Sequence, residues 1–381
     1  MNCLFGDSSS SISGRHDADD AMTPAFRARA LRASGPRPDA SVVHSSIDRA
    51  RTGGGEEPRK PVVSVIVPTY NRGDRIRACL DALRAQHTGK RYEIIVVDDG
   101  STDDTAKVAG QYPSVRVIRQ PNAGPARARN HGVEEAHGEI VLFTDDDCVP
   151  EPGWLDRMIA VFDDPRVAGA KGAYRTRQTS LVARFVQLEY EEKYSRLQKY
   201  RDIDFVDSYS AAFRRRVFQA AGGYDTGFPS ASVEDQEFSF RLASAGHVLR
   251  FIPDALVWHT HADTLRGYVR KKFKIGYWKV RILAANPGKT FGDNHTPHTL
   301  KLQIVLAALF PLSFAAAIFG PRGLLVPAAV LVAFLASAIP LVARCFARDP
   351  LVGLVAPGII ACRAAALAAG LLAGSLRRSP A

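Results

Sequence analysis

The chain predicts an α/β fold: a doubly wound, mostly parallel sheet followed by a C-terminal helical membrane region. Three observations carry that expectation. Between residues 61 and 147, β-branched apolar runs alternate with helix-period segments, the pattern of successive βαβ units. The polar clusters "PTYNR", "DDGS" and "TDDD" fall at the ends of those runs, where open α/β sheets bind ligands. Stretches 302–320, 323–343 and 351–375 are apolar over about the ~20 residues that span hydrocarbon.

Residues 1–60 hold "DSSSSIS", "RHDADD" and "RTGGGEEPRK" without a sustained apolar period, so they read as largely disordered, with order or even the true start near Lys60. "PVVSVIVPTYNR" (61–72) opens a first domain, 61–264, with a strand apolar on both faces. Ile76, Cys79, Leu80 and Leu83 then keep helical spacing over 72–86. Strands follow at "YEIIVVDDGSTDDT" (92–105), "VRVIRQ" (115–120) and "EIVLFTDDD" (139–147). Helices around 104–111 and over "GPARARNHGVEEA" separate them. Residues 150–265 mix helical patterns (154–163, 180–200, 234–245) with strand-like pieces such as "VLRFIP".

Residues 265–300 form a basic segment. Leu265, Val269, Phe273, Tyr277 and Val280 make one stripe, with Arg266, Arg270, Lys271 and Lys274 off it. Such a helix lies on an anionic membrane surface or packs, solvated, on the domain. Residues 301–381 are read as membrane helices. Basic residues from Arg266 to Lys301, with Arg344 and Arg348, place the first domain in the cytoplasm, so a multi-pass protein of the inner (cytoplasmic) membrane is expected. The third stretch carries Arg363 and Pro357-Gly358, and is expected to be re-entrant or interfacial.

The net charge of +11 suggests anionic partners. The excess gathers beside the apolar stretches and no aromatic-basic motif occurs, which argues against nucleic acid. Five cysteines without CxxC spacing predict no disulfide framework and a reducing compartment. There is no GxGxxG after the first strand, no P-loop around "GKT" (288–290) and no GxSxG.

Asp145, Asp146 and Asp147 end an apolar run and repel one another unless a cation or solvent relieves them. They suit Mg²⁺ or Mn²⁺ carried with substrate phosphates, and equally an acidic turn with Asp147 as a helix cap. Asp98 and Asp99 suit ribose hydroxyls or a base N–H, or an Asx turn. Arg127 and Arg129 lie near a helix start, where phosphates and bases are held. Glu234 and Asp235 would also suit a helix dipole alone, His259 and His261 share a strand face, and Trp154 reads as core or acceptor wall.

In order, "SVIVPTYNR", "EIIVVDDGSTDDT", "NAGPARARNHG", "FTDDDCVP", "GGYD" and "SVEDQEFSFRLASAG" resemble family-2 glycosyltransferases of the A-type (GT-A) nucleotide-diphospho-sugar transferase fold, over residues 62–262. The resemblance implies a nucleotide-diphosphate sugar donor, UDP-sugar favoured, with Mg²⁺ or Mn²⁺ bridging its phosphates. It implies donor contacts from Pro68, Thr69, Tyr70, Asp98, Asp99, Arg129, Asp145 and Asp146. Asp145, Asp147 and His259 are the implied metal ligands, Asp235 the implied base and Glu234 its partner. The expected activity is transfer of one sugar, with inversion, to a hydroxyl of a lipid-linked or cell-envelope glycan acceptor. Processive synthases of this superfamily carry QxxRW where this chain reads "FKIGYW" (273–278), which disfavours polymer synthesis. A processive synthase subunit and a non-catalytic nucleotide-sugar-binding membrane protein are the alternatives.

Overall fold

The computed structural model describes residues 62–228, 233–286, 288, 292–293 and 296–376. The expected disorder of 1–60 and the expected position of Arg377 and Arg378 lie outside the described residues.

Strand β1 (Val63–Thr69) has every residue buried, as its unbroken apolar run predicts. Helix α1 (Ile76–Arg84) follows, then β2 (Tyr92–Asp98), α2 (Thr105–Ala109), β3 (Val115–Arg119), α3 (Pro125–Glu134) and β4 (Ile140–Thr144). These four strands are parallel, in the order β3-β2-β1-β4. Side chains alternate between two cores. Val65, Val67, Ile94, Val96 and Leu142 meet Leu80 and Leu83 of α1. Ile66, Ile95, Val97, Val141 and Phe143 meet Ala128 and Val133 of α3.

Helix α1 begins four residues later than the sequence predicts. The backbone N–H groups of Asn71, Arg72 and Gly73 donate instead to Ser101 Oγ (2.9 Å), Thr105 Oγ1 (2.7 Å) and Asp103 Oδ2 (3.3 Å). That diversion ties the turn after β1 to the turn after β2, with Asn71 left-handed at φ 52°. Chain direction away from β1 reverses between β2 and β4, so the crevice lies beyond the carboxyl ends of β1 and β4.

The sheet continues with β5 (Val149–Pro150), β6 (Val167–Arg175), β7 (Ser210–Arg214) and β8 (Val248–Trp258), to the eight-stranded order β3-β2-β1-β4-β7-β6-β8-β5. Strand β7 runs antiparallel to both β4 and β6. Around these strands lie α4 (Trp154–Ala160), α5 (Leu181–Leu197), α6 (Arg215–Ala220) and α7 (Glu234–Ser244). Trp154 is fully buried, its indole N–H donating to Ser210 Oγ at 2.9 Å, so it is core.

Helix α8 (Leu265–Ala285) precedes α9 (His298–Ser313), α10 (Leu325–Arg348) and α11 (Pro350–Ser375). The last three, with the flanking 3₁₀ turns, are long and apolar enough to cross a membrane. The basic helix does not bury its apolar stripe in the protein: Leu265 and Phe273 stay 40% exposed, while Tyr268, Gly276 and Ile282 are buried. Backbone proximity selects that face, because a Cβ on Gly276 would lie 2.5 Å from the Leu367 carbonyl oxygen and one on Gly370 2.2 Å from that of Phe273. Helix α11 is continuous rather than folded back. Its Arg363 is buried and donates to Glu189 Oε1 of α5 (2.9 Å) and Gln303 Oε1 of α9 (2.7 Å). Glu189 also accepts from Lys272 (2.9 Å) and the Tyr268 hydroxyl (3.0 Å). Burial pushes its carboxyl up, but Lys272 and Arg363 outweigh that and hold it down to about 2. Gly370→Leu is expected to pry α8 from α11 and cost ~1–3 kcal/mol or more, read as a lowered thermal unfolding midpoint of the detergent-solubilised protein.

Candidate active site

Beyond β4 the three aspartates diverge, which relieves their repulsion without a single shared counter-charge. Asp145 Oδ1 accepts from Arg129 Nη2 at 2.7 Å. Asp146 Oδ2 accepts from the Thr69 hydroxyl at 2.8 Å, with Arg72 Nε 3.8 Å from its other oxygen. Asp147 Oδ1 lies 3.8 Å from His259 Nε2, at the end of β8. Burial and neighbouring carboxylates raise Asp146 to about 7 and Asp147 to about 6.

Asp147, Cys148 and His259 form a cluster whose ligand atoms all lie within 4.8 Å. The Asp147–His259 separation is one that an ion with bonds of ~2.1 Å can bridge. Burial drives His259 well below the ordinary imidazole range, leaving a neutral ring able to ligate. Burial also pushes the Cys148 thiol well above its ordinary range, and a soft sulfur is a poor match for a hard Mg²⁺ or Mn²⁺ ion. The donor set is therefore one carboxylate and one imidazole, which fits Mn²⁺ or Mg²⁺ completed by substrate oxygens.

Arg129 is the centre of the site. The resemblance implies a donor contact from Arg129; in the structure it bonds Asp145 and Glu234 Oε1 (3.3 Å), with Tyr224 beneath its guanidinium at 5.9 Å. Helix α3 starts at Gly124-Pro125 and turns Arg129 inward, while Arg127 points out beside Glu134 at 3.8 Å. Arg129 thus joins the end of β4 to the first turn of α7.

Asp235 is the second residue of α7. Its Oδ2 accepts from the Ser208 backbone N–H (3.3 Å) and its Oδ1 from that of Gln236 (2.8 Å). Burial and the adjacent Glu234 raise its carboxyl to about 6, with Arg129 opposing them.

Asp98 and Asp99 have structural partners already. Asp99 accepts from Gln120 Nε2 (2.7 Å) and the backbone N–H groups of Ala123 (2.9 Å) and Gly124 (2.8 Å), fixing the entry to α3. Asp98 accepts from the Ser101 N–H (2.9 Å) and lies 3.3 Å from Arg119. Pro68 is buried in β1, and Tyr70 is 45% exposed on the turn beside them.

Residues 64–222 match the family model described as Glycosyl transferase family 2. An uncharacterized Mycobacterium tuberculosis protein, MT1568, is 31% identical over 225 residues, 54% of this chain and 68% of that protein. The chain belongs to glycosyl transferase family 2. The pre-mycofactocin glycosyltransferase of M. tuberculosis is 29% identical over 66% of this chain. The chain spans about half (52%) of that relative's length. The mannosyltransferase PcManGT from Pyrobaculum calidifontis, solved with GDP-Man and Mn²⁺, superposes with a TM-score of 0.55 at 24% identity, over 84% of this chain and 88% of that one. That likeness identifies the GT-A fold.

Within this family 2 domain, one cavity of about 750 Å³ is lined by Asp145, Glu234, Asp235 and His259. The same cavity reaches Lys193 and Asp207, which the sequence did not single out. Lys193 pairs with Asp207, as does the fully buried Lys171 behind it, one residue before the Ser208 N–H that holds Asp235. Lys193 sits in "EYEEKYSRL", which reads as a charged surface helix. Its ion pair with Asp207, just before β7, accompanies its burial.

Proposed function

We propose that the protein is a membrane-anchored glycosyltransferase that moves one sugar from a nucleotide-diphosphate donor to a hydroxyl acceptor, with inversion. The observation that carries this reading is the single cavity in which Asp145 and His259 from the sheet ends meet Glu234 and Asp235 from α7. The hydroxyl of the acceptor attacks the anomeric carbon and Asp235 takes its proton, while the bond to the nucleoside diphosphate breaks. Ser208 and Gln236 aim the carboxylate through their backbone N–H groups. Arg129 keeps Glu234 and Asp145 at fixed positions on either side. A divalent ion held by Asp147 and His259 would offset charge on the leaving diphosphate. Thr69 and Tyr70 border the donor crevice, where Asp98 and Asp99 hold the walls.

The three apolar helices support attachment to a membrane. The basic residues near them favour the inner membrane with the catalytic domain in the cytoplasm. The outward Leu265 and Phe273 of α8 suit contact with the lipid surface.

Binding of UDP-, GDP- and dTDP-sugars to the full chain, with Mn²⁺ or EDTA, tests this reading. One donor is expected to bind, at least ~10-fold more weakly in EDTA and in Asp147→Ala. No binding of any donor by the folded protein would overturn it. Because Asp235 must be ionised to accept a proton, kcat/KM is expected to fall about tenfold per pH unit below about pH 6 and to level off above it, in a pH–rate profile.

A further inference from the structure

The 750 Å³ cavity does not stop at the carboxylates. It continues between the catalytic domain and the C-terminal helices, and its lining adds basic and apolar side chains to the carboxylates. Several of its basic side chains are already matched: Lys193 to Asp207, Lys272 and Arg363 to Glu189, Lys301 to Asp293. Three are not. Lys274 is exposed and, among the described residues, makes no ion pair or hydrogen bond; Lys279 Nζ donates to the Thr296 hydroxyl (3.1 Å); Arg344 Nη2 donates to the Ser195 hydroxyl (2.7 Å). No carboxylate pairs with any of the three among the described residues. Lys271 also lines the cavity, but its charge acts on Asp147 and His259, so it belongs to the donor end.

A buried cation is costly to keep without full counter-charge, and of the three this bears on Lys279. Burial pushes the Lys279 ammonium below the ordinary lysine range, a cost that Asp293 offsets only in part and that a bound anion would relieve further. Beyond these three, the lining is Leu283, Ile304, Leu341, Leu367 and Leu371, four of them on the helices long and apolar enough to cross a membrane. A lining that joins Asp235, cations without a carboxylate ion pair and hydrocarbon suits an amphiphile with an anionic headgroup.

We propose that this cavity binds a lipid with a phosphate or diphosphate headgroup. Lys274, Lys279 and Arg344 hold the headgroup, the leucine wall takes the first part of the tail, and the group carried beyond the headgroup reaches Asp235. Naming that lipid the acceptor rests on the transferase reading above; its binding does not. A guanidinium and two ammonium groups supply the charge-assisted hydrogen bonds that phosphate oxygens take best.

The test uses the full chain in phosphatidylcholine nanodiscs, in EDTA so that no metal carries a diphosphate to the donor end. Farnesyl diphosphate, inorganic diphosphate and farnesol are titrated in turn. Farnesyl diphosphate is expected to bind at least ~10-fold tighter than either of the others. Lys274→Ala and Arg344→Ala are each expected to weaken it ~3- to 10-fold, with Lys274→Arg retaining affinity. Lys274 is exposed, so its replacement does not threaten the fold.

Inorganic diphosphate binding as tightly as farnesyl diphosphate would make this a free-phosphate site and overturn the proposal. Farnesol binding as tightly would do the same by showing the cations idle, as would unchanged affinity in both alanine variants. Donor binding in Mn²⁺ is measured on the same preparations. If it is absent while farnesyl diphosphate binds, the lipid site stands and the transferase reading falls.

Discussion

Asp235→Asn is expected to lower turnover ~10²–10⁴-fold while leaving donor affinity within about twofold of the wild type. The substitution keeps the shape of the side chain and one oxygen for the Ser208 N–H, but removes the group that takes the proton. Glu234 cannot replace it, since its carboxylate is held by Arg129 at 3.3 Å and its helix position turns it toward the end of β4. Single-turnover rates with donor prebound separate this loss from any change in binding. An Asn variant with wild-type turnover would remove Asp235 from the chemistry and return Glu234-Asp235 to the role of a helix start.

Arg129→Met is expected to destabilise the protein by ~3–5 kcal/mol. The guanidinium is 2% exposed and stands between two carboxylates from distant parts of the chain, so its loss leaves Asp145 and Glu234 facing each other. Lysine would not rescue it, because one ammonium cannot reach both carboxylates as a planar fork does. Urea or thermal unfolding in detergent reads the effect. Adding Glu234→Gln to Arg129→Met should recover part of the loss, since one of the two stranded charges is then gone. An unchanged midpoint would mean that the ion pairs contribute nothing net.

The first half of the fold was legible because its strands are apolar on both faces and end in polar turns. Val63 to Thr69 and Ile140 to Thr144 could be placed from the sequence with errors of a few residues. The later strands were harder to read. Strand β6, "VAGAKGAYR", is rich in glycine and alanine because neighbours press on it: a Cβ at Gly169 would lie 2.7 Å from the Phe213 ring. Composition alone reads such a segment as a loop.

At the site, residue types were legible and partnerships were not. The aspartates after β4 announced a cation, yet Asp145 meets Arg129, Asp146 meets Thr69, and Asp147 meets His259 from 112 positions further along the chain. Spacing along a sequence carries no record of which side chains a sheet brings together. Similarly, the stripe on α8 marked a face for the membrane surface, but not that Gly276, Gly370 and Gly374 bring the helix against α11.

The pairing of Arg363 with Glu189 bears on how the molecule is made. Helix α11 follows every other described element in the chain, and its arginine finds its carboxylate partner on α5 of the first domain. Inserted alone, that guanidinium would cost ~2.5–3.5 kcal/mol at the centre of a bilayer. The ion pair thus couples the two parts of the molecule: α11 carries a neutralised arginine only where α5 presents Glu189 to it.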